Sequence, residues 1–181
     1  VSAPAAVTRL EADALREAGV ASITDLPAAV PNLSLSRSTA PAFGDIYAVR
    51  GIANTEFFSD PALIVYVDDA PAGDAMSNPG DLPELAGAEI WRGPQGSRFG
   101  KNAAGGVIDL TTARPTDTWT GFARLSMASR DTALYQAGVQ GPLVPGELRL
   151  GVSGGYGRSD GFIENALQGG RVDASERSAG R

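Results

Sequence analysis

Apolar and polar residues alternate along the last third of the chain. In Trp119–Ser129 the odd positions are mostly apolar or small, whereas the even positions include Thr120 and Arg124. Ala133–Gly141 and Glu147–Gly157 repeat this period of two. A tilted strand needs about 9–11 residues to cross a membrane. The pattern therefore predicts three antiparallel strands, either of a transmembrane barrel or of a soluble sheet with one wet face.

The chain before Pro115 instead mixes short helical and strand-like segments. Ala12–Ala18 is rich in helix-forming residues, and Ser22–Asp25 has the spacing of a capping box. Asp81–Leu85 predicts one further helical turn. Four runs rich in apolar and β-branched residues predict strands: Ile46–Arg50, Ala62–Val67, Glu89–Trp91 and Val107–Thr111. We therefore expect a small α+β domain over residues 1–115.

Composition removes several classes of function. The chain has no cysteine and no histidine, which excludes thiolate metal sites, imidazole bases and Ser-His-Asp triads. A mean hydropathy of -0.08 does not fit a helical membrane bundle. The net charge is -6, and residues 1–115 hold the whole acidic excess. That distribution argues against a nucleic-acid partner.

Five glycines lie between Glu89 and Thr112, and three explanations compete: a phosphate cradle, a flexible linker or a tight loop. A phosphate loop needs G-x-x-x-x-G-K-[ST], but Asn102 follows Lys101, and Gln95 stands where the first glycine belongs. A linker would lack the embedded Trp and Phe and the flanking strands. The segment is best explained as a tight loop in a confined space.

Three motifs follow one another in a characteristic order: Ile46–Gly51 (IYAVRG), Ala62–Pro71 (ALIVYVDDAP) and Glu89–Pro115 (EIWRGPQGSRFGKNAAGGVIDLTTARP). In this order they closely resemble the plug domain of TonB-dependent outer-membrane receptors. Two departures are Asp69-Ala70, where the family commonly has Gly-Val, and Lys101, where Arg is frequent. The resemblance extends over effectively the whole chain.

The resemblance implies an α+β plug domain with a small mixed sheet over residues 1–115. Residues 116–181 would be the first three strands of a transmembrane β-barrel, incomplete because the family's barrel has about 22 strands. The implied protein lies in the outer membrane of a Gram-negative bacterium and contacts its lipid. It imports a scarce nutrient chelate, such as siderophore-iron, when TonB acts through an N-terminal box that we expect to lie outside this chain. No catalysis, cofactor or metal site is implied.

The resemblance also assigns residues. Arg50 and Arg92, each in an Arg-Gly pair, match arginines that lock the plug to carboxylates of the barrel wall; the alternative is solvated arginines at strand ends. Five glycines would allow positive φ or close approach in the loop: Gly93, Gly96, Gly100, Gly105 and Gly106.

Two further loops, Ala53–Pro61 and Pro71–Pro79, would form an apex that contacts the ligand. The predicted contacts are Asn54, Glu56, Phe57, Phe58, Asp74, Met76 and Asn78. Adjacent aromatic residues on a loop favour binding, although one Phe packing inward is an equally good explanation. The acidic side chains disfavour a strongly anionic ligand and favour a neutral or cationic one.

Paired carboxylates raise a catalytic alternative. Asp68 and Asp69 are more simply a turn, and Glu89 and Asp109 are more simply sheet or lumen contacts. Two rival functions therefore stay open at this point. One is a soluble β-rich domain that binds carbohydrate or peptide, and the other is a carboxylate-dependent hydrolase with the two acids in a cleft.

Overall fold

A computed structural model describes residues 6–20, 22–36, 44–54, 60–72, 85–129, 132–161, 163–167 and 169–180. It divides into two compact units, residues 1–113 and 114–181. The helices are α1 (Ala12–Glu17), α2 (Leu26–Ala29) and α3 (Gly96–Phe99). The strands are β1 (Ala6–Glu11), β2 (Leu33–Ser36), β3 (Ile46–Val49), β4 (Ile52–Ala53), β5 (Leu63–Val67), β6 (Ala70–Pro71), β7 (Leu85–Arg92), β8 (Gly106–Thr112), β9 (Thr120–Ala128), β10 (Thr132–Val144), β11 (Leu148–Ser159) and β12 (Ser175–Gly180).

The first unit is built on a five-stranded sheet in the order β1-β7-β8-β5-β6. Strands β5 and β8 run parallel, and the other neighbours are antiparallel. This confirms the predicted small mixed sheet. The edge strand β1 was missed, because its alternation is short and it leads directly into the helix-forming residues of α1.

One face of this sheet carries the main core. Its apolar strand residues, including Val65, Ile90 and Leu110, pack against Leu15 of α1 and Leu26 of α2, and all five are fully buried. Burying a side chain of this size stabilises a fold by about 1.5–3 kcal/mol. The core therefore fixes the sheet and, with it, the loops at the ends of its strands.

Local sequence signals place the helices against that core. Gly19 lies two residues beyond the end of α1, and its φ of 69° lets the amides of Gly19 and Val20 bond back to the carbonyls of Arg16 and Leu15. The predicted capping box is present, since the Ser22 amide donates to Asp25 Oδ2 at 2.9 Å. It opens a 3₁₀ turn, Ile23–Asp25, that runs into α2.

A second, three-stranded antiparallel sheet has the order β2-β3-β4. Tyr47 and Val49 of β3 are fully buried in the main core. The helical turn predicted at Asp81–Leu85 lies outside the described residues except for Leu85, which begins β7.

The second unit is an antiparallel sheet in the order β12-β11-β10-β9. The three predicted strands are confirmed as β9, β10 and β11. Strand β10 continues to Val144, past the end of the predicted strand at Gly141, with a register shift between Pro142 and Val144. Strand β12 was missed because its sequence, SERSAG, has no apolar alternation.

The apolar residues of this second sheet lie on its surface. Leu125 is 56% exposed, Met127 73%, Val139 50% and Val152 53%. From Leu148 to Tyr156 the exposed side of β11 extends for about 27 Å at roughly 3.4 Å per residue. That length is close to the ~25 Å apolar band of an outer-membrane barrel. The fold is thus the predicted plug followed by antiparallel strands. Their exposed apolar side chains are of the kind that contact lipid.

Candidate functional site

Arg50 occupies the first position of a two-residue turn between β3 and β4. The paired residues Val49 and Ile52 flank it, and Arg50 and Gly51 have φ values of 52° and 80°. This is the geometry of a type I′ hairpin turn, which favours Asn or Gly. An arginine at positive φ is strained, and its side chain is exposed. The local fold therefore does not explain why this position carries Arg.

Arg92 ends β7 and makes two hydrogen bonds inside the first unit. Its Nη2 donates to Thr8 Oγ1 at 2.6 Å, and its Nη1 donates to the carbonyl of Pro31 at 3.0 Å. The backbone amide of Arg50 donates to the carbonyl of Asn32 at 3.0 Å. The structure thus brings both predicted lock arginines to one turn, Pro31–Asn32, a juxtaposition that the sequence pattern did not reveal.

The partners of these arginines are neutral oxygens. Among the described residues, no carboxylate forms an ion pair with Arg50 or Arg92. A guanidinium has five donors and is always protonated, so among the described residues neither positive charge is paired with an acidic group.

The glycine-rich loop between β7 and β8 contains one helical turn, α3, where the sequence predicted loop alone. Gly100 ends α3 at a φ of 78°, and its amide donates to the carbonyl of Gly96. Gly93 also has a positive φ, 97°, and bonds to Gly105. Gly96 itself has no positive φ and no heavy atom near an added Cβ.

Gly105 and Gly106 are required for a second reason, because neighbouring atoms leave no space for a side chain there. A Cβ on Gly105 would lie 2.4 Å from Ile52 Cγ2, and one on Gly106 would lie 2.4 Å from the Trp91 carbonyl oxygen. No side chain fits such distances without backbone movement. These contacts lie within the first unit, so the approach to a barrel wall predicted for the glycines stays a prediction.

Aromatic side chains hold the loop against the second face of the mixed sheet. The Phe99 ring lies 5.4 Å from that of Tyr66 and 6.0 Å from that of Trp91, and the Tyr66 hydroxyl donates to the Phe99 carbonyl at 2.8 Å. The Arg98 guanidinium stacks over Trp91 at 4.4 Å. Such contacts keep a glycine-rich loop in one conformation.

Beside this cluster a charged row crosses the sheet. Arg9 of β1 pairs with Glu89 of β7 at 2.7 Å, and Glu89 lies opposite Asp109 of β8. Burial, with the charges of Asp69 and Glu89, raises the pKa of Asp109 above its usual 3.8, and Arg98 opposes the rise. The two acids lie on a sheet face and one is ion-paired, which does not favour the hydrolase alternative.

The Asp68-Asp69 pair forms a turn, which agrees with the simpler interpretation. Both residues have positive φ, 49° and 67°, between the paired residues Val67 and Ala70. Asp68 accepts hydrogen bonds from the amide and hydroxyl of Thr112 at 2.8 and 2.6 Å. Its carboxylate therefore ties the β5–β6 hairpin to the end of β8.

Asn54 is the one predicted apex residue that the structure describes. It is 2% exposed, and its Oδ1 accepts from the amide of Tyr47 at 2.8 Å. Its Nδ2 has no hydrogen-bond partner among the described residues. In this position Asn54 anchors the start of the loop. The other predicted contacts lie outside the described residues: Glu56, Phe57, Phe58, Asp74, Met76 and Asn78.

The described part of the chain lacks two further features. No group of three or more Asp or Glu residues is arranged to hold a metal ion. No helix there is both long enough and apolar enough to cross a membrane.

Residues 1–107 match the model of the family described as TonB-dependent Receptor Plug Domain. This chain belongs to that family. The pesticin receptor of Yersinia enterocolitica is 33% identical over 141 residues, which cover 78% of this chain and 21% of that protein. The iron-regulated outer membrane virulence protein of Vibrio cholerae is 26% identical over 197 residues, 98% of this chain and 28% of that protein.

Among solved structures, the ferric yersiniabactin uptake receptor FyuA from Yersinia pestis superposes with a TM-score of 0.82 at 29% identity. The match covers 97% of this chain and 28% of that one. The siderophore receptor PirA from Pseudomonas aeruginosa gives 0.59 at 27% identity, covering 88% of this chain and 30% of PirA. The plug chain thus spans less than a third of the length of these relatives. Like them, it belongs to the Gram-negative outer membrane.

Proposed function

We propose that residues 1–115 are the gating plug, and residues 116–181 the first wall strands, of a receptor that imports a siderophore-iron chelate. The observation that carries the proposal is the likeness, over 97% of this chain, to a ferric yersiniabactin uptake receptor. The relatives are transport receptors, and we assign no covalent chemistry to this chain. A soluble carbohydrate- or peptide-binding domain is not favoured, because the second sheet exposes its apolar side chains.

Energy for gating is assigned to TonB, as in the family to which the chain belongs. The plug is well suited to move as a body, because its main core is internal to the first unit. Release then requires the bonds between the plug and its surroundings to break, while the main core can stay intact. In this proposal Arg50 and Arg92 supply those bonds through wall carboxylates.

The positive φ of Arg50 supports its part in the lock. Asn or Gly would fit the turn with less strain, which supports a contribution of the guanidinium outside the turn. Arg92 contributes two bonds inside the plug and offers its remaining donors outward. Removing either side chain would leave a wall carboxylate without its partner, a loss of about 3–5 kcal/mol for a buried pair.

The apex loops are proposed to contact the chelate, with Phe57 and Phe58 providing apolar area. Replacing both by Ala should weaken binding by at least ~1 kcal/mol, a small part of the value of two buried aromatic rings. Titration of the purified receptor with its ferric siderophore measures the loss. Unchanged affinity would remove both residues from the contact surface.

Uptake of labelled iron tests the proposed function. Cells that lack the receptor and cells that express it are offered ferric yersiniabactin, ferric enterobactin or iron citrate. We expect receptor-dependent uptake of at least one siderophore chelate and none of the citrate. Absence of uptake for every chelate, with the receptor present in the outer membrane, would contradict siderophore-iron import.

A further inference from the structure

Among the described residues, strand β1 pairs with the plug on one side only. It is an edge strand of the five-stranded sheet, its one described partner is β7, and Ala6 at its start lies opposite Arg92. Edge strands with a single ladder belong to the parts of a fold that open at low cost. Any opening that begins at Ala6 therefore changes the surroundings of Arg92 first.

The side chain of Arg92 is tied directly to this strand. Its Nη2 donates to Thr8 Oγ1 at 2.6 Å, two residues along β1 from the residue paired with Arg92 itself. Its other terminal nitrogen holds the Pro31 carbonyl at 3.0 Å, and both Thr8 and Arg92 are half-buried. Two acceptors at different points fix the plane of a guanidinium, and with it the direction of the remaining donors.

We propose that Thr8 is a positioning residue for Arg92, and that it makes the lock depend on β1 being in place. The inference rests on the proposed function, in which Arg92 bonds to a wall carboxylate. When β1 leaves the sheet, the Thr8 hydroxyl leaves with it, and Arg92 loses one of its two orienting bonds. Opening of β1 thus precedes unlocking of the plug.

The same network extends to the second lock arginine. Arg92 holds the Pro31 carbonyl, and the carbonyl of the next residue, Asn32, accepts from the Arg50 amide at 3.0 Å. Asn32 has a φ of 62°, so this turn has few alternative conformations. A disturbance at Thr8 therefore reaches the Arg50 turn through three hydrogen bonds and one tight turn.

The neighbouring residue Arg9 provides a matched control. It belongs to the same strand and bonds to Glu89, but this ion pair is exposed and lies on the opposite sheet face from Thr8. Exposed pairs contribute about 0–1 kcal/mol. Arg9 also lies over the Trp91 ring at 5.5 Å. Arg9→Gln therefore loosens β1 slightly while both side-chain hydrogen bonds of Arg92 stay in place.

The experiment compares four variants of the intact receptor in outer membranes. Thr8→Val keeps the shape but removes the acceptor, Thr8→Ser keeps the acceptor, Arg9→Gln is the control, and Arg92→Ala is the reference for an open lock. The rate at which a bulky antibiotic enters the cell measures whether the plug is locked. The affinity for the ferric siderophore measures whether the apex loops still bind ligand. Loss of a hydrogen bond to a charged group shifts an equilibrium on the order of tenfold.

We expect Thr8→Val to raise antibiotic entry toward that of Arg92→Ala, with siderophore affinity unchanged. Thr8→Ser and Arg9→Gln should remain at the parental rate. If Arg92→Ala raises antibiotic entry and Thr8→Val does not, Thr8 does not position Arg92, although the assignment of Arg92 to the lock is supported. If Arg92→Ala leaves antibiotic entry unchanged, the lock assignment is wrong and the inference is wrong with it. If Thr8→Val assembles poorly, the measurement is repeated with Thr8→Ala. The same two outcomes then support or contradict the positioning role of Thr8.

Discussion

The two units place the apolar side chains of their strands in opposite surroundings. In the first, the apolar side chains of the central strands, such as Val65, Ile90 and Leu110, are 2% exposed or less. In the second, those of β9 and β11, such as Leu125 and Val152, are more than half exposed. Apolar residues in a strand therefore specify a sheet with an apolar face, but not what covers that face. In the plug, helices of the same unit cover the apolar strand residues, whereas the apolar face of the wall strands needs lipid to cover it.

Separating the two units tests this contrast most strongly. Residues 1–115 expressed alone should be a soluble, folded monomer, because their core is internal. Residues 1–181 should aggregate without detergent, since they add an exposed apolar face and open strand edges. Sedimentation and thermal melting of both fragments check this. A monomeric 1–181 with a cooperative melt in plain buffer would count against the wall assignment.

A charge placed on either face of β10 gives the next largest effect. Val139→Arg puts a cation on the exposed apolar face, where it costs about 2–4 kcal/mol near the membrane midplane. Gln140→Arg, one residue along, lies on the other face and should be tolerated. The amount of heat-modifiable receptor in outer membranes measures assembly. Equal assembly of the two variants would mean that lipid does not cover this face.

Much of this architecture could be predicted from the sequence. Alternation identified β9, β10 and β11, and the motif order identified the plug, because both signals are carried by consecutive residues. The strands β1 and β12 were missed, since a short edge strand and a strand without apolar residues depend on pairing with distant segments. The burial of Asn54 depends on the same kind of distant contact, its bond to Tyr47.

The candidate site shows the same limit. The arginine motifs pointed to Arg50 and Arg92, but not to their meeting at Pro31–Asn32, because Thr8 and Pro31 carry no motif of their own. The distances along the chain exceed 60 residues for each Arg92 bond. Only the folded sheet brings these groups together.

A substitution at the strained Arg50 turn should affect the stability of the plug and the closure of the receptor in opposite directions. Arg50→Gly should stabilise the isolated plug by about 1 kcal/mol, because it removes a side chain from a left-handed conformation. The same substitution in the intact receptor should raise antibiotic entry. Chemical denaturation gives the first quantity and permeability the second. A destabilised plug would show that the Arg50 side chain serves the fold of the plug itself.

The smallest effect concerns Asp109. Its pKa is raised in the folded plug, so the charged form is disfavoured there and stability falls as the pH rises through the folded pKa. Asp109→Asn should therefore stabilise the isolated plug at neutral pH by no more than about 0.5 kcal/mol. The gain should disappear as the pH falls toward 3.8, where the acid is protonated in both states. Thermal melts of both proteins across this range check the sign.

Energy-coupled gating of the plug is the central claim, and it is tested by measuring binding and uptake on the same cells. Cells expressing the receptor are given a labelled ferric siderophore with and without an uncoupler that abolishes the inner-membrane proton gradient. We predict that surface binding persists while uptake stops, because the plug stays locked without TonB action. Uptake that continues at the same rate in uncoupled cells would contradict the account.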